Sequence, residues 1–152
     1  MHVNQRASVA QIMKAELEEI GITIEIKQLE ATAALQADID SDFNMILSAS
    51  TMDIPDPDQW TSLAVDPAGG ANSTSTFYNN PKAIAVNKQA QQEADLTKRA
   101  ALYKELQQIT GEDAFLAYLY HSPFAYASSD KVHDFHVPSL GNYHLENIYK
   151  TR

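Results

Sequence analysis

The spacing of apolar residues divides this chain into segments of helical and of strand character. Over residues 8–20, Val9, Ile12, Met13, Leu17 and Ile20 share one helical face, Ser8 and Gln11 suit a capping box, and Gly21 stands where a left-handed residue ends a helix. Ile22, Ile24 and Ile26 then alternate with Thr23, Glu25 and Lys27, which predicts a strand one residue after that helix. Residues 31–39 carry a weaker helical pattern, and Met45, Ile46 and Leu47 form the short apolar run of a strand buried on both faces, over residues 44–48. Further along, helices are predicted over about 81–93 and 96–112, capped by Asn80 and Asp95, with Leu102, Leu106 and Ile109 facing the core. Residues 115–120 are apolar or aromatic at nearly every position, a strand by content, and residues 124–127 have the composition of another. The tail, 129–152, has no clear period.

Alternating helices and strands imply an α/β fold with a parallel or mixed sheet. A right-handed crossover needs a strand before its helix, yet only seven residues precede Ser8 and none shows a strand pattern. The chain is therefore expected to begin in the middle of a fold and to form a single lobe over 1–152.

The apolar run at 45–47 gives way to Asp53, Pro55, Asp56 and Pro57, none of which continues a buried strand. Asp56-Pro57-Asp58-Gln59 reads as a helix start: Asp56 as N-cap, Pro57 in the first turn, and Gln59 placed to reach back as in a capping box. In open α/β sheets ligands bind just beyond the carboxyl ends of strands, and Asp53 is expected at such an end. A carboxylate there could pair with an ammonium group, a charge-assisted hydrogen bond worth about 1.5–3 kcal/mol. The same residue suits an Asx-turn, and residue type alone does not separate the two. Trp60, the chain's only tryptophan, and Tyr78, after a loop of Gly, Ser, Thr and Asn, are candidates either for core packing or for the apolar wall of a site.

Composition narrows the chemistry. At 152 residues the chain is about one domain long, and its formal charge of −9, from 11 Lys and Arg against 20 Asp and Glu, opposes binding to nucleic acid or an anionic membrane. A cationic or zwitterionic ligand suits it better. With no cysteine there is no disulfide, thiolate metal site or cysteine nucleophile. No apolar run is long enough to cross a bilayer and no secretory signal is recognisable, so an exported parent would carry its signal elsewhere. Asp38, Asp40 and Asp42 start like a calcium loop, but Phe43 takes the place of the required glycine and Ala49 that of the closing glutamate. His133 and His136 lack a third ligand at recognisable spacing, so neither metal nor cofactor is expected. Asp53 with Asp56, and His121 with Ser122, come without a nucleophile elbow or an orienting third group; no catalytic residue and no enzyme activity are predicted.

Several segments taken together resemble the extracellular solute-binding proteins of the peptide/nickel family (family 5), the receptors of ABC importers. They are Ala-Glu-Leu-Glu-Glu-Ile-Gly-Ile (15–22), Asp-Ile-Pro-Asp-Pro-Asp-Gln-Trp (53–60), Phe-Tyr-Asn-Asn-Pro (77–81), Ala-Asp-Leu-Thr-Lys-Arg-Ala-Ala-Leu-Tyr-Lys-Glu-Leu-Gln-Gln-Ile (94–109), Tyr-Leu-Tyr-His (118–121) and Lys-Val-His-Asp-Phe (131–135). Their order is similar to the family's carboxyl-terminal third. The resemblance implies a mixed-sheet lobe of a type II periplasmic-binding-protein-like fold, with the tail 129–152 returning toward a second lobe that this chain lacks. It implies a peptide-like solute held between lobes, delivery to a membrane permease, and an extracytoplasmic location for the parent protein. In the family's peptide binders an aspartate just before the Asp-Pro-Asp segment holds the peptide's α-ammonium group, and Asp53 matches it; Trp60 and Tyr78 are the further ligand-binding candidates. Ser50, Ile84, Ala114 and Asp134 depart from the family's usual residues. A lobe without its partner is expected to bind solute weakly and to self-associate through exposed apolar surface. The alternative is a stand-alone structural or protein-interaction domain without a solute site.

Overall fold

Local capping chemistry sets most of the helix boundaries. The computed structural model describes residues 3–70, 75–121, 125–137 and 145–151. Its elements are helices α1 (Val3–Glu19), α2 (Ala31–Ile39), α3 (Pro57–Ala64), α4 (Pro81–Gln92) and α5 (Leu96–Asp113), and strands β1 (Val132–His133) and β2 (Tyr149–Lys150). They fall into two units, residues 1–50 and residues 51–152.

In the first unit α1 begins at Val3, so Ser8 lies inside the helix and not at its cap. Its end is as predicted: Gly21 has φ +84°, its N–H donates to the Glu18 carbonyl at 3.1 Å, and the Ile22 N–H donates to Leu17 at 2.9 Å, a Schellman motif. Helix α2 closes the same way, with Ser41 N–H to Asp38 (3.2 Å), Asp42 N–H to Ala37 (2.9 Å), and Ser41 itself at φ 55°. None of residues 5–50 is fully buried. Ile24 and Ile26 are half-buried, while Ile12, Ile20, Ile22, Leu29, Leu35, Ile39, Met45 and Ile46 are exposed. The segments predicted as strands at 22–27 and 44–48 form none. An apolar pattern suits a segment to a sheet, but a strand exists only where a neighbouring strand pairs with it, and no described residues form such a strand here.

The second unit holds the core. Asp56 accepts the Asp58 N–H (2.8 Å) at the start of α3, Asn80 accepts those of Lys82 and Ala83 (2.9 and 3.3 Å) at α4, and Asp95 accepts those of Thr97 and Lys98 (2.9 and 3.1 Å) at α5. Helices α4 and α5 make a hairpin whose facing sides bury Ala83, Val86, Leu106 and Ile109; Val65 and Tyr78 complete the cluster, with Leu102, Tyr103 and Phe115 at its margin. The Tyr78 ring stacks on Phe115 at 4.2 Å. Helix α3 is tied to α4 by Gln91 Nε2 to Ser62 Oγ (3.0 Å), and Lys88 reaches Asp66, in the loop after α3, at 3.5 Å. That loop hugs α3: a Cβ at Gly69 would collide with the Ser62 carbonyl.

Two polar residues stand out. Asp113 puts a carboxylate at the carboxyl end of α5, the wrong end for the helix dipole. It is offset by two donors onto Oδ2, the Tyr78 hydroxyl at 2.6 Å and Asn80 Nδ2 at 2.7 Å. Asn87, on the inner face of α4, is fully buried with neither amide atom paired among the described residues.

The mixed sheet expected from the alternation of elements is absent among the described residues. What sheet there is lies in the tail, where β1 pairs antiparallel with β2, Val132 opposite Lys150 and His133 opposite Tyr149. Residues 115–120 form no strand; Tyr118, Leu119 and Tyr120 are exposed. Of the segment 124–127, Phe124 lies outside the described residues and the rest forms no strand.

Asp56→Ala removes both the cap and a carboxylate, whereas Asp56→Asn keeps a capping oxygen. In urea melts the alanine variant is expected to lose about 1 kcal/mol more than the asparagine variant. Asn87→Ala, which removes the unpaired amide without adding volume, should cost less than the roughly 2–5 kcal/mol of an ordinary buried large-to-small change, and a loss of that size or more would contradict the unpaired amide. The carboxyls of Asp56 and Asp113 are held below the usual range, the first chiefly by its Arg99 hydrogen bond, the second by Tyr78 and then Asn80. Their contribution is therefore fully present above the unfolded carboxylate value of about 4 and lost as pH falls through the lower folded values. Asp113→Asn should flatten the acid limb of a stability profile measured from pH 7 down to pH 2.

Candidate functional site

Three carboxylates lie within six residues at the start of α3, and the fold gives them different work. Asp56 is consumed by structure: Oδ1 accepts the Asp58 N–H and Arg99 Nη2 (2.7 Å), and Oδ2 accepts Arg99 Nη1 (2.8 Å). Arg99 comes from the first turn of α5 and is largely covered. Asp58, in the first turn of α3, accepts from the Ser62 hydroxyl, 2.6 Å from its carbonyl and 2.8 Å from its Oδ1. Asp53 sits three residues before the cap, in a bend, exposed.

Gln59 sets the conformation of that bend. Its Oε1 accepts the backbone N–H groups of Asp53 (2.8 Å) and Ile54 (3.0 Å), while its Nε2 donates to Asp53 Oδ2 at 3.3 Å. The capping-box reading expected this side chain to return to Asp56; it passes the cap and binds the loop before it. One carboxamide thus fixes both the backbone on which Asp53 rides and one oxygen of its carboxylate.

Asp53 was expected at the carboxyl end of a strand. Residues 44–48 form no strand, so that placement does not hold; Asp53 is positioned by the turn and by Gln59. Trp60 follows Gln59 in the first turn of α3 and is half-buried. Tyr78 retains 8% of its surface, its ring in the core cluster and its hydroxyl on Asp113. Burial, with the Asp113 carboxylate beside it, pushes the Tyr78 phenol well above its ordinary range, so it stays protonated as a donor.

The pairing of Asp53 with Asp56 as acid and base does not fit this geometry. Asp56 is bidentate to Arg99 with its carboxyl held low, and it has no proton to give near neutral pH. Ser122 lies outside the described residues. His133 stacks on Tyr149 at 4.9 Å with Nε2 3.2 Å from Thr151 Oγ1. Among the described residues no group of three His, Asp or Glu side chains is placed to hold a metal ion. An open cleft of about 550 Å³ on the α4/α5 hairpin is lined by residues such as Gln89, Gln92, Lys98 and Glu105, and by none of the predicted site residues. No helix among the described residues is long and apolar enough to cross a membrane.

Residues 2–72, just under half of the chain, match the family model of bacterial extracellular solute-binding proteins, family 5 Middle. No curated protein matches the chain. The matched stretch runs from α1 through α3 and includes Asp53, Gln59 and Trp60; Tyr78 and the later segments that resemble the family lie beyond it. The family implies a type II periplasmic-binding fold, a solute-binding role with an ABC transporter, a small solute and a permease as partners of the full-length protein, and an extracytoplasmic setting for it.

Proposed function

We propose that this chain forms one lobe of a solute receptor for a peptide or similar amine-bearing solute, and that Asp53 is its anionic anchor. The division of labour among the three carboxylates supports this reading. Asp56 is neutralised by Arg99, Asp58 accepts from Ser62, and Asp53 is exposed in the bend before α3, where Gln59 Nε2 donates to its Oδ2 at 3.3 Å. An ammonium group meeting that carboxylate gains a charge-assisted hydrogen bond, and the net charge of −9 favours approach of a cation. Trp60 supplies apolar wall beside the anchor, and Tyr78 contributes the edge that the core leaves uncovered. The solute passes from here to a membrane permease through the full-length protein.

One such bond, worth about 1.5–3 kcal/mol, falls far short of the roughly 8 kcal/mol of micromolar affinity. The isolated chain should therefore bind a dipeptide only at about 10 mM or weaker, by amide shifts at residues 53–60 in an NMR titration, and Asp53→Asn should abolish the effect. Micromolar affinity, or binding indifferent to Asp53→Asn, would contradict the reading.

A second reading, a protein-interaction domain without a solute site, draws on the exposed Ile and Leu side chains of residues 12–39. Both readings predict concentration-dependent self-association in sedimentation equilibrium. Only the receptor reading predicts a response to a free amine.

A further inference from the structure

We infer that residues 22–30 pair antiparallel with the same residues of a second copy of this chain, in a two-fold register centred on Ile26. The inference goes beyond the reading of Asp53 as anchor and does not depend on it. The segment joins the end of α1 to the start of α2 and contains neither proline nor glycine. Its burial alternates as in a strand: Ile24 and Ile26 are half-buried, while Thr23, Glu25 and Lys27 are exposed. The Ile22 N–H is taken by Leu17 at 2.9 Å, but residues 23–29 make no backbone hydrogen bond to any described residue. A stretch of this kind is a template for another strand.

Length and charge both point to a second copy as the occupant. Gly21, at φ +84°, ends the stretch on one side and α2, from Ala31, ends it on the other, so the longest antiparallel pairing of two identical segments is centred on Ile26. That register sets Ile26 opposite Ile26, Thr23 opposite Leu29, and Glu25 of each copy opposite Lys27 of the other. Centring on Glu25 instead brings two carboxylates face to face. Centring on Ile24 sets Lys27 opposite Gly21, at the left-handed end of α1. Asp and Glu outnumber Lys and Arg over residues 1–50, so two copies repel across most of that surface; Glu25 and Lys27 make this stretch self-complementary. Pairing also covers part of Ile22 and Leu29, exposed in the single chain. Because the contact is isologous, it closes at a dimer.

The test is a charge swap read by sedimentation equilibrium of the full chain. Glu25→Lys places Lys opposite Lys and Lys27→Glu places Glu opposite Glu, so each variant alone should dimerise about tenfold more weakly than wild type. An equimolar mixture of the two recreates both opposite-charge pairs and should return to within about threefold of wild type. Association opposed only by net charge behaves otherwise, because Glu25→Lys lowers the net negative charge and would strengthen it while Lys27→Glu weakens it. Opposite shifts of that kind, a mixture no tighter than its components, or a wild type that stays monomeric would each overturn the pairing. Amide exchange in wild type reads the same contact without a substitution. Protection at residues 23–29 should rise with protein concentration, and exchange there that is independent of concentration while dimer forms would place the contact elsewhere and overturn it.

Discussion

A single guanidinium sets where the helices of the second unit meet. Arg99 makes a bidentate pair with Asp56, donates from Nε to the Ala90 carbonyl at 3.2 Å, reaches the Tyr103 hydroxyl at 3.1 Å, and lies 4.9 Å from the centre of the Tyr103 ring. It thereby joins the cap of α3, a late turn of α4 and the body of α5. Lysine could not replace it, because a point charge on a flexible stem cannot serve a planar fork, a backbone carbonyl and an aromatic face at once. Asp56 is equally over-determined, since one carboxylate both caps a helix and neutralises the arginine. The hydrophobic cluster of Val65, Val86, Leu106 and Ile109 provides the adhesion between helices, and this pair fixes where α3 begins against them.

Fixing that start has a consequence for the residues before it. With Asp56 withdrawn into structure, Gln59, carried on the first turn of α3, is set at the distance from which it can bind the Asp53 bend. The candidate site is thus a by-product of helix capping: the cap is anchored by a residue 43 positions away, and the loop is clamped by a residue six positions away. Tyr78 and Asp113 repeat the device at the far end of α5, where a buried phenol and the Asn80 amide stabilise a carboxylate that the helix dipole disfavours.

What the sequence reveals here is what a few neighbouring residues decide. Asp56, Asn80 and Asp95 cap their helices as their types and spacing predict, and Gly21 takes its left-handed conformation, because each event is completed within a turn of chain. Gln59 departs from the capping-box expectation for a physical reason. The capping-box rule considers only a return to the cap, while the flexible glutamine accepts from two N–H groups just beyond it. Arg99 with Asp56, and Tyr78 with Asp113, carry no local signal, since their partners are brought together only by packing. The alternation in Ile22, Ile24 and Ile26 is genuine, but period reports suitability for a sheet and says nothing of a partner strand; none is found among the described residues. The short ladder of β1 with β2 was missed because two-residue strands leave no period to detect.

The central claim is that the Asp53 bend is held rigid by Gln59 on a helix start pinned by Arg99. Native-state hydrogen exchange at the Asp53 and Ile54 amides measures this directly. Both should be protected by tenfold or more over an unstructured loop, on the order expected for a bonded but locally opening amide, and Arg99→Gln should remove much of that protection while the amides within α5 stay protected. Exchange at these two positions as fast as in free peptide, or protection unchanged by Arg99→Gln, would contradict it.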